Sequence, residues 1–106
     1  MTSTVHVPIE LFRDTLEEQF QRHTDQLAEL TVCSQEPDRG GYDDVTLAAL
    51  ITSARQMVAD TAHALRRMAD GRYGSCERCT GRIPLQRLEI LPHARFCVPC
   101  QRSQNG

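Results

Sequence analysis

Apolar residues recur every three or four positions along the first third of the chain: Ile9, Phe12, Leu16, Phe20, Leu27 and Leu30, with His23 in the same register. That spacing predicts an amphipathic α-helix. Pro8 suits its first turn, and Glu10, Asp14, Glu17, Glu18, Gln21, Asp25 and Glu29 make its polar face. The rhythm breaks across SQEPDRGGYDD, residues 34–44. Pro37 disfavours helix for the residue before it, and Gly40-Gly41 signals a turn. Asp43 or Asp44 can cap a second helix. Its stripe is Leu47, Leu50, Ala54, Met57 or Val58, Thr61, Leu65 and Met68, with Gly71 as the stop.

Two such helices, each of about 25 residues and roughly 35–40 Å long, joined by a short loop, predict an antiparallel hairpin. The stripes are narrow, which fits a two-stranded coiled coil, although His23 and Thr61 interrupt the seam. Phe12, Phe20, Met57 and Met68 lie on the stripes and read as core. The expected organisation is mainly α: a flexible N-terminus over residues 1–8, a coiled-coil hairpin over 9–70 with its tip around 34–44, and a small module over 71–106.

Charge divides the chain at the same place. Residues 1–70 carry six arginines against twelve acids, a net of −6, whereas residues 71–106 carry six arginines against Glu77 and Glu89, a net of +4. There is no lysine, so all fixed positive charge sits on guanidinium groups. A basic module points to nucleic acid or an acidic protein surface, while the acidic hairpin argues against a protein that coats DNA. No apolar run reaches the roughly 18 residues of a membrane span, and no leader pattern opens the chain. The expected compartment is the cytoplasm, and the expected state a monomer.

Four of the five cysteines form two identical pairs, Cys76-x-x-Cys79 and Cys97-x-x-Cys100, separated by 17 residues. That spacing lies inside the range of four-cysteine zinc sites. Two residues between thiolates let a tight turn aim both sulfurs at one ion, and two such turns complete a tetrahedron. Gly74 and Gly81 free the backbone around the first turn, and Arg78, Arg82 and Arg95 stand near enough in sequence to offset the thiolate charge. One closed structural Zn²⁺ is the expected cofactor; an iron–sulfur cluster and a thiol redox switch that releases metal are the alternatives. Between the pairs, IPLQRLEIL reads as one short helix stopped by Pro92. His93, His6 and His63 read as surface or packing residues. Cys33, at the end of the first helix, is either a small hydrophobe near the loop or an exposed redox thiol.

The string GRYGSCERCTGRIPLQRLEILPHARFCVPC, following a helical hairpin, resembles the DksA/TraR family of four-cysteine zinc-finger transcription regulators. Gly71, Tyr73, Gly74, Cys76, Cys79, Ile83, Arg87, Leu88, Pro92, Cys97 and Cys100 carry the resemblance. It implies a protein that binds RNA polymerase, not DNA. The coiled coil would enter the secondary channel with acidic residues at its tip, and the zinc module would dock at the rim, modulating initiation. The acids available for that tip are Asp38, Glu36, Asp43 and Asp44. The family's Asp-x-x-Asp-x-Ala motif is only half matched, since Gln35 stands where its first Asp would be. The family's guanosine tetraphosphate contacts use basic residues on the second helix and after the last cysteine. Here Gln101 follows Cys100 and no arginine lies between Arg55 and Arg66, so a weak or absent response is expected.

The residues themselves agree with a non-enzymatic role: no nucleophile–base pair, phosphate loop or open metal site is legible. The alternative function is a nucleic-acid-binding zinc ribbon with arginines 72–102 on phosphates. The acidic hairpin, and the limitation of stacking residues in the module to Tyr73 and Phe96, count against it. A redox-responsive zinc switch can overlay the polymerase-binding function.

Overall fold

The computed structural model describes residues 9–105. The flexible segment expected over residues 1–8, together with Pro8 and His6, lies outside the described residues. Helix α1 runs Ile9–Gln35 and helix α2 runs Asp44–Ala69. The first helix stops immediately before the residue that Pro37 bars from helix, so Ser34 and Gln35, expected in the tip, close α1 instead. A 3-10 turn over Arg39–Gly41 reverses the chain. Of the two candidate caps, Asp43 takes the position: its Oδ1 accepts from the Thr46 N–H at 2.6 Å. Past α2, Gly71 sits at φ +75, a left-handed stop that suits glycine.

The predicted stripes are the observed seam. All of their residues are buried or half-buried, and Leu16 and Thr61 are fully so. Phe12 and Leu16 pack in one cluster with Ala64 and Met68, whereas Leu30 packs with Leu47 and Ala54. Early residues of α1 therefore meet late residues of α2, which fixes the pair as antiparallel. Thr61 is accommodated because its hydroxyl donates back to the Met57 carbonyl at 2.8 Å. His23 is half-buried, and its Nδ1, like Gln19 Oε1 and Thr24 Oγ1, has no hydrogen-bond partner among the described residues.

Beyond α2 the chain folds back on the open end of the hairpin. Helix α3, Leu85–Ile90, is the short helix expected between the cysteine pairs, entered from Pro84 and ended before Pro92. Helix α4, Val98–Asn105, was not legible as a helix from its composition. Cys76, Ile83 and Leu88 complete the cluster begun by Phe12, Leu16, Ala64 and Met68, so hairpin base and cysteine module share one core. Tyr73 reinforces the junction: its ring lies 5.8 Å from that of Phe12, and its hydroxyl donates to the Pro92 carbonyl at 2.8 Å. Burial pushes that hydroxyl's pKa up.

Candidate metal centre

Cys76 and Cys79 are presented by a tight knuckle. Ile83 N–H donates to the Gly74 carbonyl at 2.8 Å and Cys76 N–H to the Gly81 carbonyl at 2.7 Å, closing the segment around a single Ser75–Arg82 bridge. Thr80 takes the left-handed conformation at φ +62, a strained value for a β-branched residue, held at the turn between the two arms. Inside the knuckle, backbone N–H groups of Arg78 and Cys79 donate to Cys76 Sγ at 3.4 and 3.5 Å, and Gly81 N–H donates to Cys79 Sγ at 3.4 Å. Cys97 immediately precedes α4 and Cys100 lies in its first turn.

The four sulfurs all lie within 4.8 Å of one another, and Cys79 Sγ is 3.8 Å from Cys97 Sγ. Four thiolates about 2.3 Å from a central zinc stand about 3.8 Å apart along each tetrahedral edge, so the donor set fits the ion. It does not fit a disulfide, which needs about 2.05 Å between sulfurs. Cys76, Cys79, Cys97 and Cys100 therefore make a site for one structural zinc, with all four positions filled by protein and none left for a substrate. Burial pushes the Cys76 thiol up, but the N–H donors of Cys79, Cys97 and Arg78 outweigh it and bring it down to about 6. Hydrogen bonding to Cys97 and burial push Cys100 up to about 12. Sulfurs this close resist joint ionisation, and zinc removes that conflict.

The three arginines expected to offset the site are all exposed, and Arg95 is bonded to Glu77 through Nε at 3.2 Å and Nη2 at 3.0 Å. Glu77 was not singled out from the sequence, and neither was its partner Arg67; His63 was read only as a surface or packing residue. His63 Nε2 bonds Glu77 Oε2, and Arg67 Nε stands 3.5 Å from the same oxygen. Burial raises the Glu77 pKa, but hydrogen bonds from Arg95 and His63 prevail and hold it below the usual carboxylate value.

The tip residues Glu36, Asp38, Asp43 and Asp44 are all exposed, about one hairpin length from the sulfurs. Most have internal partners. Asp38 Oδ1 accepts from Gly40 N–H at 3.0 Å, Asp43 caps α2, and Asp44 accepts from Arg39 Nε at 3.1 Å. The Asp43 carboxyl is held below its ordinary pKa, chiefly by the Thr46 N–H. Cys33 is half-buried, packed against the Leu30 cluster.

Residues 71–105 match the prokaryotic dksA/traR C4-type zinc finger. A 47-residue stretch is 43% identical to general stress protein 16O of Bacillus subtilis (strain 168), covering 44% of this chain and 29% of that protein. An uncharacterized protein of Aquifex aeolicus (strain VF5) is 45% identical over 38 residues, 36% of this chain and 26% of its own length. The chain thus spans less than a third of either relative. Among solved structures, transcription factor DksA2 from Pseudomonas aeruginosa superposes with a TM-score of 0.77 at 24% identity, covering 99% of this chain and 91% of that one. At that identity the likeness is one of fold.

Proposed function

The chain carries the four-cysteine zinc finger of the DksA/TraR family, and from that premise we propose that it is a transcription regulator that binds RNA polymerase. The hairpin inserts its tip into the secondary channel and modulates initiation, the zinc is structural, and the protein catalyses nothing itself. The observation that carries this reading is the joining, in one chain, of that finger to a hairpin with the fold of a transcription factor, DksA2. The shape suits it. The molecule measures 62 × 32 × 21 Å, long enough to reach into a channel from its rim. No helix among the described residues is long and apolar enough to cross a membrane.

At the tip, Glu36 is the acid whose carboxylate enters no ion pair or cap among the described residues, and Tyr42 and Val45 are exposed in the same region of the chain. Asp38, Asp43 and Asp44 supply further charge, each with one oxygen tied internally, Asp38 and Asp44 to the loop and Asp43 to the start of α2. A response to guanosine tetraphosphate is not expected. The 180 Å³ hollow between α2 and the finger is lined by Asp60, and two arginines on its wall are engaged: Arg87 Nε donates to the Phe96 carbonyl at 3.1 Å, and Arg95 holds Glu77.

A pull-down with core RNA polymerase, with and without a competing channel-binding factor, tests the reading; failure to bind overturns it. Asp38→Asn then isolates the tip charge, because an amide oxygen can still accept from Gly40 N–H. Binding is expected to survive and the effect on transcription in vitro to be lost.

A further inference from the structure

Glu77 lies between two zinc cysteines, yet its side chain, 16% exposed, gathers groups from outside the knuckle. His63 and Arg67, one turn apart on α2, meet its carboxylate from the hairpin. Arg95, two residues before Cys97, meets it from the second cysteine pair, and Glu77 N–H donates to the Arg95 carbonyl at 2.8 Å. Arg67 extends the same tie, its Nη2 donating to the Arg72 carbonyl at 3.1 Å and the Ser75 carbonyl at 2.9 Å, in the turn segment leading into Cys76. One carboxylate thus joins three segments: the first knuckle, the approach to the second, and the hairpin.

We infer that Glu77 is a positioning residue through which α2 preorganises the zinc site, so that hairpin residues set how tightly the metal is held. The shared apolar cluster attaches the finger to the hairpin but has little direction. The Glu77 cluster supplies direction, fixing one cysteine pair against the other before the ion enters. Order already present in the protein need not be drawn from metal-binding energy, and groups beyond the ligands routinely tune metal affinity. The coupling is reciprocal: whatever α2 does for zinc, zinc does for the finger's seat on α2. None of this depends on what the hairpin inserts into.

The test is zinc competition against a chromophoric chelator, using the full chain and its variants His63→Ala, Glu77→Gln and the double substitution. His63 lies 13 residues before the first ligand and Ala keeps the helix. His63→Ala is expected to weaken zinc binding at least about fivefold and Glu77→Gln about tenfold. The double variant should lose no more than Glu77→Gln alone, since His63 acts through the carboxylate. Leu30→Ala, in the distant tip cluster, is the control for general destabilisation and should leave zinc affinity unchanged. Should Glu77→Gln fail to fold, His63→Ala against Leu30→Ala decides. Affinity within about twofold of wild type for His63→Ala, additive losses in the double variant, or an equal loss in Leu30→Ala overturns the inference.

Discussion

Gly40 shows how tightly single residues are specified at the hairpin tip. Its φ is +62, and a Cβ there would stand 2.7 Å from Cys33 Sγ. Two separate penalties follow for any side chain: the left-handed conformation, about 1–2 kcal/mol, and displacement of a half-buried sulfur. Gly40→Ala is therefore expected to lower the unfolding free energy by at least about 1 kcal/mol in urea titration. Adding Cys33→Ala should recover the steric part and leave the conformational part. Full recovery would mean that the backbone is not strained. The turn itself was legible in Gly40-Gly41, and so was a cap at Asp43 or Asp44, between which the structure chooses Asp43. The approach of Cys33 to Gly40 was not, nor was the pairing of Arg39 with Asp44, because charge and size along a loop do not announce which neighbours the loop brings together. Glu77 is the same case on a larger scale, with partners 14 and 18 positions away.

The helices were the most readable elements, because burying a stripe at helical spacing is a local requirement that the sequence must meet residue by residue. Helix α4 shows the opposite. VPCQRSQN has no apolar rhythm, and its place is fixed by Cys100 at the zinc site and in the base cluster. Along the seam the packing is uneven. An apolar cluster at the base and another near the tip are separated by half-buried Gln19, His23 and Thr24, each with a buried polar atom that lacks a partner among the described residues. Unsatisfied buried groups cost stability, whereas packed leucines supply it. Leu16→Ala, at a fully buried position, should cost about 2–5 kcal/mol. His23→Leu should instead raise stability by about 1 kcal/mol. Chemical denaturation of both variants checks the contrast, and a destabilised His23→Leu would show that the imidazole earns its place in the seam.

Taken whole, the molecule is a lever on a metal-stapled base. Its radius of gyration is 16.9 Å, against about 13 Å for a compact domain of this length, so little of the hairpin is braced by anything but its own seam. What braces the base is the cluster shared with the finger, and the finger depends on zinc for cohesion. Removing zinc should free Cys76, Ile83 and Leu88 from that cluster and expose Phe12, Leu16, Ala64 and Met68 next, while Leu30, Leu47 and Ala54 stand apart beyond the polar middle. Loss of order should therefore spread from the base toward the tip. Hydrogen exchange with and without a chelator is the measurement. Protection should fall most over residues 71–100, then over 12–16 and 61–68, and least over 30–54. A uniform loss along both helices would mean that the hairpin unfolds as one cooperative unit. Unchanged protection at the base would mean that the hairpin stands without its staple, and that the finger is carried by the lever and does not anchor it.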